Sequence, residues 1–200
     1  MRSSSHFPAQ KNSENKDEKN RNHKIFLIFV ESVILKTRTM KEIQIPLCIR
    51  SLHAEELSPE DSQLIEAAKK ATYSSYAPYS HFSVGAAIRL ANGQLLTGSN
   101  QENAAYPSGL CAERTVLFYA NAQYPDQPVQ VLAIAARNEN GFLQTPIPPC
   151  GACRQVMLET EQRYHTALRI LLYGEKCIYE IEGTKTLLPL SFGEEFLSAE

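Results

Sequence analysis

Two short stretches of this 200-residue chain carry residue types suited to chemistry rather than packing. They are Cys111-Ala112-Glu113-Arg114-Thr115 and, 39 residues further on, Pro149-Cys150-Gly151-Ala152-Cys153-Arg154-Gln155. Cys150 and Cys153 form a C-x-x-C where a helix is expected to begin, and Cys111 opens a second expected helix. The unpaired N–H groups and positive dipole end at such a start favour thiolate over thiol and prepare the sulfur to bind a cation. Three thiolates leave one position of a tetrahedral zinc ion for water, as in a catalytic site, whereas a structural site closes with a fourth protein ligand. Histidine occurs only at positions 6, 23, 53, 81 and 165, none at a ligand spacing from Cys150 or Cys153. A closed site would therefore need Cys48 or Cys177, which are expected instead to be buried apolar thiols, Cys48 in the apolar stretch from Ile43 to Ile49 and Cys177 beside Ile178. Five cysteines with no secretion signal argue against a disulfide framework. The cysteines alone leave three readings: a catalytic zinc, a non-catalytic zinc module, and a redox dithiol of Cys150 and Cys153. The last gives Cys111 and Glu113 no task.

Glu113 lies two residues after Cys111, a spacing that does not share a helical face. At the tip of a helix, however, a first-turn side chain can reach forward, so Cys111 can bind the ion while Glu113 hydrogen-bonds its water as general base. The plainer reading is an acidic residue that suits the first turn of any helix, worth about 0.3–1 kcal/mol. Three thiolates around a dication leave net negative charge. Arg114 and Arg154 each follow a site residue, and at least one is expected to donate hydrogen bonds to a ligating sulfur; the alternative for either is an ordinary surface arginine. A metal ligand, one residue and a Glu, followed by P-C-x-x-C, is the signature of zinc deaminases.

The motifs need a frame to hold them. Ser58 reads as an N-cap, with Pro59 at the first helical position and Glu60 and Asp61 in the first turn. Leu64, Ile65, Ala68 and Ala71 form an apolar stripe, and Pro78 drives Ala77 out of the α region, which predicts a helix over 59–75. Phe82–Leu90 and Gln94–Ser99 read as a hairpin joined at Asn92-Gly93. Val129–Ala136 and Leu168–Tyr173 are near-continuous apolar runs, expected of central strands covered on both faces. Helices are predicted over Cys111–Ala122 and Gly151–Tyr164, and strands over Ile178–Glu182 and Thr184–Leu188. The order is αββαβαββ, a sheet with helices packed on its faces.

A content of 43% apolar and 21% charged residues is that of one globular domain. The net charge of −2 gives no reason to expect nucleic-acid binding. Charge is unevenly shared: residues 1–41 hold nine Lys/Arg against four Asp/Glu, and residues 42–200 hold eleven against eighteen. Residues 1–24 are almost wholly polar and read as disordered. The apolar run 25–35 is about half the ~20 residues a bilayer crossing needs, and Lys36-Thr37-Arg38-Thr39 after it is not a signal-peptide cleavage site. Neither a membrane span nor secretion is expected, and the location read from this is cytoplasmic. Residues 1–40 are expected to be a disordered extension or sequence upstream of a true start at Met40, residues 41–57 a strand or linker, and residues 58–200 the main domain.

The two cysteine motifs, together with Tyr79-Ser80-His81-Phe82-Ser83-Val84-Gly85-Ala86-Ala87 and Asn100-Gln101-Glu102-Asn103-Ala104-Ala105-Tyr106, resemble the homotetrameric cytidine deaminases. The likeness runs from about Leu57 to Phe192. It implies a three-layer α/β/α fold with a mixed sheet and one zinc ion per subunit on Cys111, Cys150 and Cys153, with Glu113 moving protons. It further implies that Asn100 and Glu102 hydrogen-bond the ribose 3′-hydroxyl, that Phe82 packs on the pyrimidine, and that Tyr106 and the Ala112 backbone share that pocket. Leu187-Leu188-Pro189-Leu190-Ser191-Phe192 resembles the segment whose final Phe enters a neighbouring subunit's site. Read without the resemblance, Phe82 is more often a core residue at a strand start than a substrate contact, and Asn100 and Glu102 read as loop polars after Gly98. The activity implied is hydrolytic deamination of cytidine and deoxycytidine in pyrimidine salvage. The alternative is a related cytosine nucleoside such as blasticidin S. Nucleotide and tRNA deaminases fit less well, because their families usually place His where Cys111 stands.

Overall fold

A computed structural model describes residues 41–197. The chain divides between Gln44 and Ile45. Of the N-terminal part, residues 41–44 are described, and they are exposed and without regular structure. The expectations for residues 1–40 lie outside the described residues.

The elements are β1 (Arg50–Leu52), α1 (Pro59–Ala71), β2 (Ser83–Leu90), β3 (Leu95–Ser99), α2 (Ala112–Gln123), β4 (Val129–Asn138), β5 (Gly141–Phe142), α3 (Gly151–Tyr164), β6 (Arg169–Tyr173) and β7 (Ile178–Glu182). One sheet has the order β1-β7-β6-β4-β2-β3, with β5 added on β4. β4 and β6 run parallel, and the other pairs are antiparallel.

Alternation along the strands divides the core in two, as the period of a pleated strand requires. Val131, Ala133 and Ala135 of β4, with Ala87 and Leu171, pack with Leu64, Ile65 and Ala68 of α1. Leu132 and Ile134, with Ala86, Ile88, Ile170 and Leu172, pack with Val116, Leu117 and Ala120 of α2 and Met157 of α3. The sheet is thus the middle of three layers, and β4 and β6 read as continuous apolar runs because both of their faces are covered. Full burial of each large aliphatic side chain contributes about 1.5–3 kcal/mol relative to exposure.

Local chemistry sets the helix starts. The Ser58 hydroxyl accepts from Asp61 N at 3.1 Å, capping α1 behind Pro59. α1 lies so close to β2 that a Cβ on Gly85 would sit 2.1 Å from Ala68 O. On the other side, a Cβ on Gly98 of β3 would sit 2.9 Å from both Ala112 O and Val116 N, in the first turns of α2. These two glycines let both helix layers seat against the hairpin.

Four expectations change. Thr184–Leu188 is not a strand: its first residues form a 3-10 turn, Thr184–Thr186. Gly183, at φ +76, turns the chain away, and the Glu161 carboxylate of α3 holds both the N–H and the hydroxyl of Thr184. The sheet edge beyond β7 belongs instead to β1. In the hairpin only Gly93 takes a positive φ, +83, with its N–H on Leu90 O at 2.9 Å, so the connection is a turn ending in a left-handed glycine rather than a two-residue link. Cys48 is exposed and Cys177 half-buried, not the buried thiols that their apolar neighbours suggest. An apolar run buries its residues only where another layer covers it, and residues 41–50 are exposed throughout.

Candidate active site

Cys111 and Cys150 are the N-cap residues of α2 and α3, and neither makes a side-chain cap hydrogen bond. Each backbone carbonyl begins its helix, accepting from Thr115 N and Arg154 N at 3.0 Å, while the sulfur is left for another partner. Cys153 follows one turn into α3 and is fully buried. Because α2 and α3 pack in the same core layer, their N-terminal ends meet. The Sγ atoms of Cys111 and Cys150 are 3.7 Å apart and those of Cys150 and Cys153 3.4 Å, with all three inside 4.8 Å.

Zinc–sulfur bonds of about 2.3 Å at tetrahedral angles place two sulfurs about 3.8 Å from each other. The three thiols therefore fit three ligand positions of one zinc ion. Among the described residues no other group of three or more potential ligands gathers in this way, and neither Cys48 nor Cys177 joins this one. The closed four-cysteine site loses its candidates.

The charges at the site agree with cation binding. A hydrogen bond with the Cys153 thiol and the Arg114 guanidinium hold the Cys111 thiol down at about 5 against the pull of burial. The Cys153 thiol, keeping a proton shared with Cys111 and buried as well, is held far above its ordinary value. Glu113 is 4% exposed. Burial raises its carboxyl above the usual range and the neighbouring Cys111 thiolate adds to this, while the helix's own N–H works the other way. A carboxyl raised in this way takes up a proton more readily than a free one, which is the property a proton carrier uses.

The two arginines part company. Arg114 Nη2 lies 3.9 Å from Cys111 Sγ and donates to Gly109 O at 3.3 Å. Arg154 does not reach a sulfur: its Nε donates to Pro149 O at 2.9 Å and its Nη1 to Leu187 O at 2.8 Å. Its side chain ties the loop ahead of Cys150 to the C-terminal segment through these two carbonyls.

A cavity of about 440 Å³ opens beside Cys111 and Arg114, and Asn100, Glu102, Tyr79, Ser80 and Tyr106 form part of its wall. Tyr79 and Tyr106 meet edge to face with centroids 6.2 Å apart. Glu102 accepts from Tyr79 N at 2.9 Å, Ser80 N at 3.3 Å and the Ser80 hydroxyl. These bonds, that from the Ser80 hydroxyl first, hold its carboxyl below its usual value. Asn100 is fixed by Val84 N, Phe82 O and the Ser75 hydroxyl. Phe82, Ala112 and Phe192 do not line the cavity of the single chain. Phe82 is half-buried ahead of β2, Ala112 is fully buried in the first turn of α2, and Phe192 is 59% exposed and stacked on Phe196. Ser80 and Tyr79 belong to the wall, although the sequence alone assigns them no role of their own; their mark in the sequence is their place in the motif that begins at Tyr79.

Residues 58–167 match the family described as the cytidine and deoxycytidylate deaminase zinc-binding region. A cytidine deaminase of Halalkalibacterium halodurans is 47% identical over 96 residues, 48% of this chain and 68% of that protein. One of Sporosarcina psychrophila is 38% identical over 136 residues, 68% of this chain and 93% of that protein. The crystal structure of cytidine deaminase from Burkholderia pseudomallei superposes with a TM-score of 0.56 at 40% identity, covering 65% of this chain and 97% of that one. The matched region takes in both helix starts, the buried glutamate and the strands β2 to β4, and the chain belongs to the zinc-binding cytidine and deoxycytidylate deaminase family.

Proposed function

We propose that this protein hydrolyses the exocyclic amine of cytidine and deoxycytidine, giving uridine or deoxyuridine and ammonia in pyrimidine salvage. The observation that carries this is the meeting of three cysteine sulfurs at two helix starts, with the buried Glu113 two residues after Cys111, next to a cavity that Cys111, Asn100 and Glu102 line.

Cys111, Cys150 and Cys153 would hold the zinc ion. When bound, zinc acts as a Lewis acid that makes a water acidic enough to serve as nucleophile near neutral pH. Glu113 would take a proton from the attacking water and place it on ring N3 so that C4 becomes electrophilic. It would then take the proton of the new C4 hydroxyl and pass it to the amine, which leaves as ammonia as the C4–N bond breaks and the C4 carbonyl forms. Arg114 offsets the thiolate charge from its position near Cys111. Asn100 and Glu102 bind the sugar, with Tyr106 in the same cavity wall; by resemblance Phe82 and the Ala112 backbone, which do not line that cavity in the single chain, would meet the base.

A nucleoside suits this site better than a nucleic acid, because residues 42–200 carry an excess of acidic groups and the Glu102 carboxylate in the cavity wall repels phosphate. The working form is a homotetramer with shared sites, to which an exposed Phe192 would contribute across a subunit contact. The cytoplasm is the compartment assigned: it keeps unpaired thiols reduced, and among the described residues no helix is long and apolar enough to cross a membrane.

The test pairs zinc content with ammonia release from cytidine, deoxycytidine and blasticidin S on one metal-replete preparation. Release from the first two with one zinc per chain is expected. Release from blasticidin S alone transfers the activity to that substrate, and bound zinc without any release leaves a non-catalytic module. Sedimentation of the active form reads the assembly, and a fully active monomer removes Phe192 from the site.

A further inference from the structure

A hydrogen-bond count at Asn100 and Glu102 shows how little of each side chain is left for a ligand. Asn100 Oδ1 accepts from Val84 N at 2.8 Å and from the Ser75 hydroxyl, which fills both lone pairs. Its Nδ2 donates to Phe82 O at 2.9 Å, leaving one N–H. Glu102 Oε2 accepts from Tyr79 N and Ser80 N, and Oε1 accepts from the Ser80 hydroxyl. One acceptor position remains, on Oε1. The pair thus offers a single donor beside a single acceptor, which a hydroxyl group satisfies at once and a phosphate or ether does not.

Ser80 aims that last acceptor. Its hydroxyl is engaged at both ends, donating to Glu102 Oε1 and accepting from Phe82 N at 3.1 Å, so it is not itself free to turn toward a ligand. The next residue, His81, sits at φ +53, a left-handed backbone that is unfavourable for a non-glycine residue and persists where surrounding contacts impose it. The turn from Tyr79 to Phe82 is therefore built to grip Glu102.

We propose that Ser80 is a positioning residue for sugar recognition, holding the Glu102 carboxylate so that one acceptor of Oε1 meets the 3′-hydroxyl of the nucleoside. This rests on the reading of Asn100 and Glu102 as the sugar-binding pair. Without the Ser80 hydroxyl the carboxylate gains rotational freedom that must be lost on binding, so recognition of the hydroxyl weakens while proton transfer at Glu113 is untouched.

Deoxycytidine and 2′,3′-dideoxycytidine share a base and differ in the 3′-hydroxyl, so they separate the two ideas. Kinetics with both would be measured for the wild type, Ser80→Ala and Ser80→Thr, alongside zinc content and far-UV circular dichroism. Ser80→Cys, similar in shape with a weaker donor, carries the same test should alanine disturb the loop. The wild type should favour deoxycytidine, since a site built to bind a hydroxyl rejects the analogue lacking it. Ser80→Ala should raise KM for deoxycytidine about tenfold, with kcat and the KM for the dideoxy substrate changed less than about twofold, and Ser80→Thr should restore the preference. Equal KM changes for both substrates, or none, in a folded and zinc-loaded variant overturn the role of Ser80 alone. A wild type indifferent to the 3′-hydroxyl overturns it together with the sugar-binding reading.

Discussion

Cys111 and Cys150 hold the same position in two helices, the cap residue whose side chain makes no cap bond. Placed there, a thiol gains from the helix dipole without being used up by the helix, which is what a metal ligand needs. Glu113 is next to this charge but buried, and the role proposed for it is to move protons. Glu113→Gln keeps the shape and loses the proton; kcat should fall about 10²–10⁴-fold while zinc stays bound, and near-normal turnover in the zinc-loaded variant would falsify the assignment. The arginines make a sharper comparison. Arg114→Ala removes the donor near Cys111 Sγ and should weaken zinc binding about 10–100-fold in chelator competition. Arg154→Ala, whose donors go to Pro149 O and Leu187 O, should weaken it less. The opposite ranking would mean that bracing the Cys150 loop matters more than offsetting its charge. From the sequence the two arginines look alike, each one residue beyond a site residue; only the direction each side chain takes tells them apart.

The helix starts reach the site because the elements behind them pack closely. Gly98 reads in the sequence as a strand glycine of no evident purpose, yet a Cβ there would lie 2.9 Å from backbone atoms of α2, which cannot swing aside as a long side chain could. Gly98→Ala should cost about 1–3 kcal/mol, read as a lower urea midpoint, and should lower kcat because α2 carries both Cys111 and Glu113. Gly151, inside the C-x-x-C, has nothing within 4 Å of its missing Cβ and an ordinary helical backbone. Gly151→Ala should raise the midpoint by up to about 0.5–1 kcal/mol through reduced chain entropy. If both variants behave alike, close packing of α2 on β3 is not what holds the site. Thr184–Leu188 shows the limit of reading elements from local pattern. Its residues suit a strand, but the edge it would join is taken by β1, from more than a hundred residues earlier in the chain.

Across the whole molecule, an ion network away from the thiols joins α1 to four strands. Asp61, 4% exposed, pairs with Arg89 at 3.2 Å and Arg169 at 2.7 Å, while Glu180 pairs with Arg169 at 2.6 Å and Arg50 at 2.7 Å. Burial pushes the Asp61 carboxyl up, but hydrogen bonds from Arg169, Ser58 and Arg89 and the Arg169 charge outweigh it and hold the carboxyl below its ordinary 3.8. A carboxyl depressed in the folded state stabilises fully above its unfolded value, and that contribution disappears as pH falls through the folded value. Asp61→Asn should therefore cost about 2–3 kcal/mol near neutrality, between the values for exposed and for buried pairs because the arginines are partly exposed. The penalty should be constant above about pH 5 and shrink as pH drops below the ordinary carboxyl value, as read from urea midpoints at several pH values. A penalty independent of pH into the acid range would show that shape, not charge, is what Asp61 supplies.

Chemistry written over a few neighbouring residues is legible without coordinates. Ser58-Pro59 starts a helix, Asn92-Gly93 reverses a chain, two apolar runs become covered central strands, and Cys-x-Glu with Pro-Cys-x-x-Cys points to a zinc site. Each of these depends on interactions within a turn or two, or on a period that a strand or helix imposes on its own sequence. What the tertiary structure alone decided lies between distant residues: the convergence of Cys111 with Cys150 and Cys153, the separation of Cys48 and Cys177 from them, the parting of Arg114 from Arg154, and the grip of Ser80 on Glu102, 22 residues away. Such contacts follow from how three layers stack and which edge each strand finds. No local pattern encodes that choice, because it is made by the packing of every layer at once.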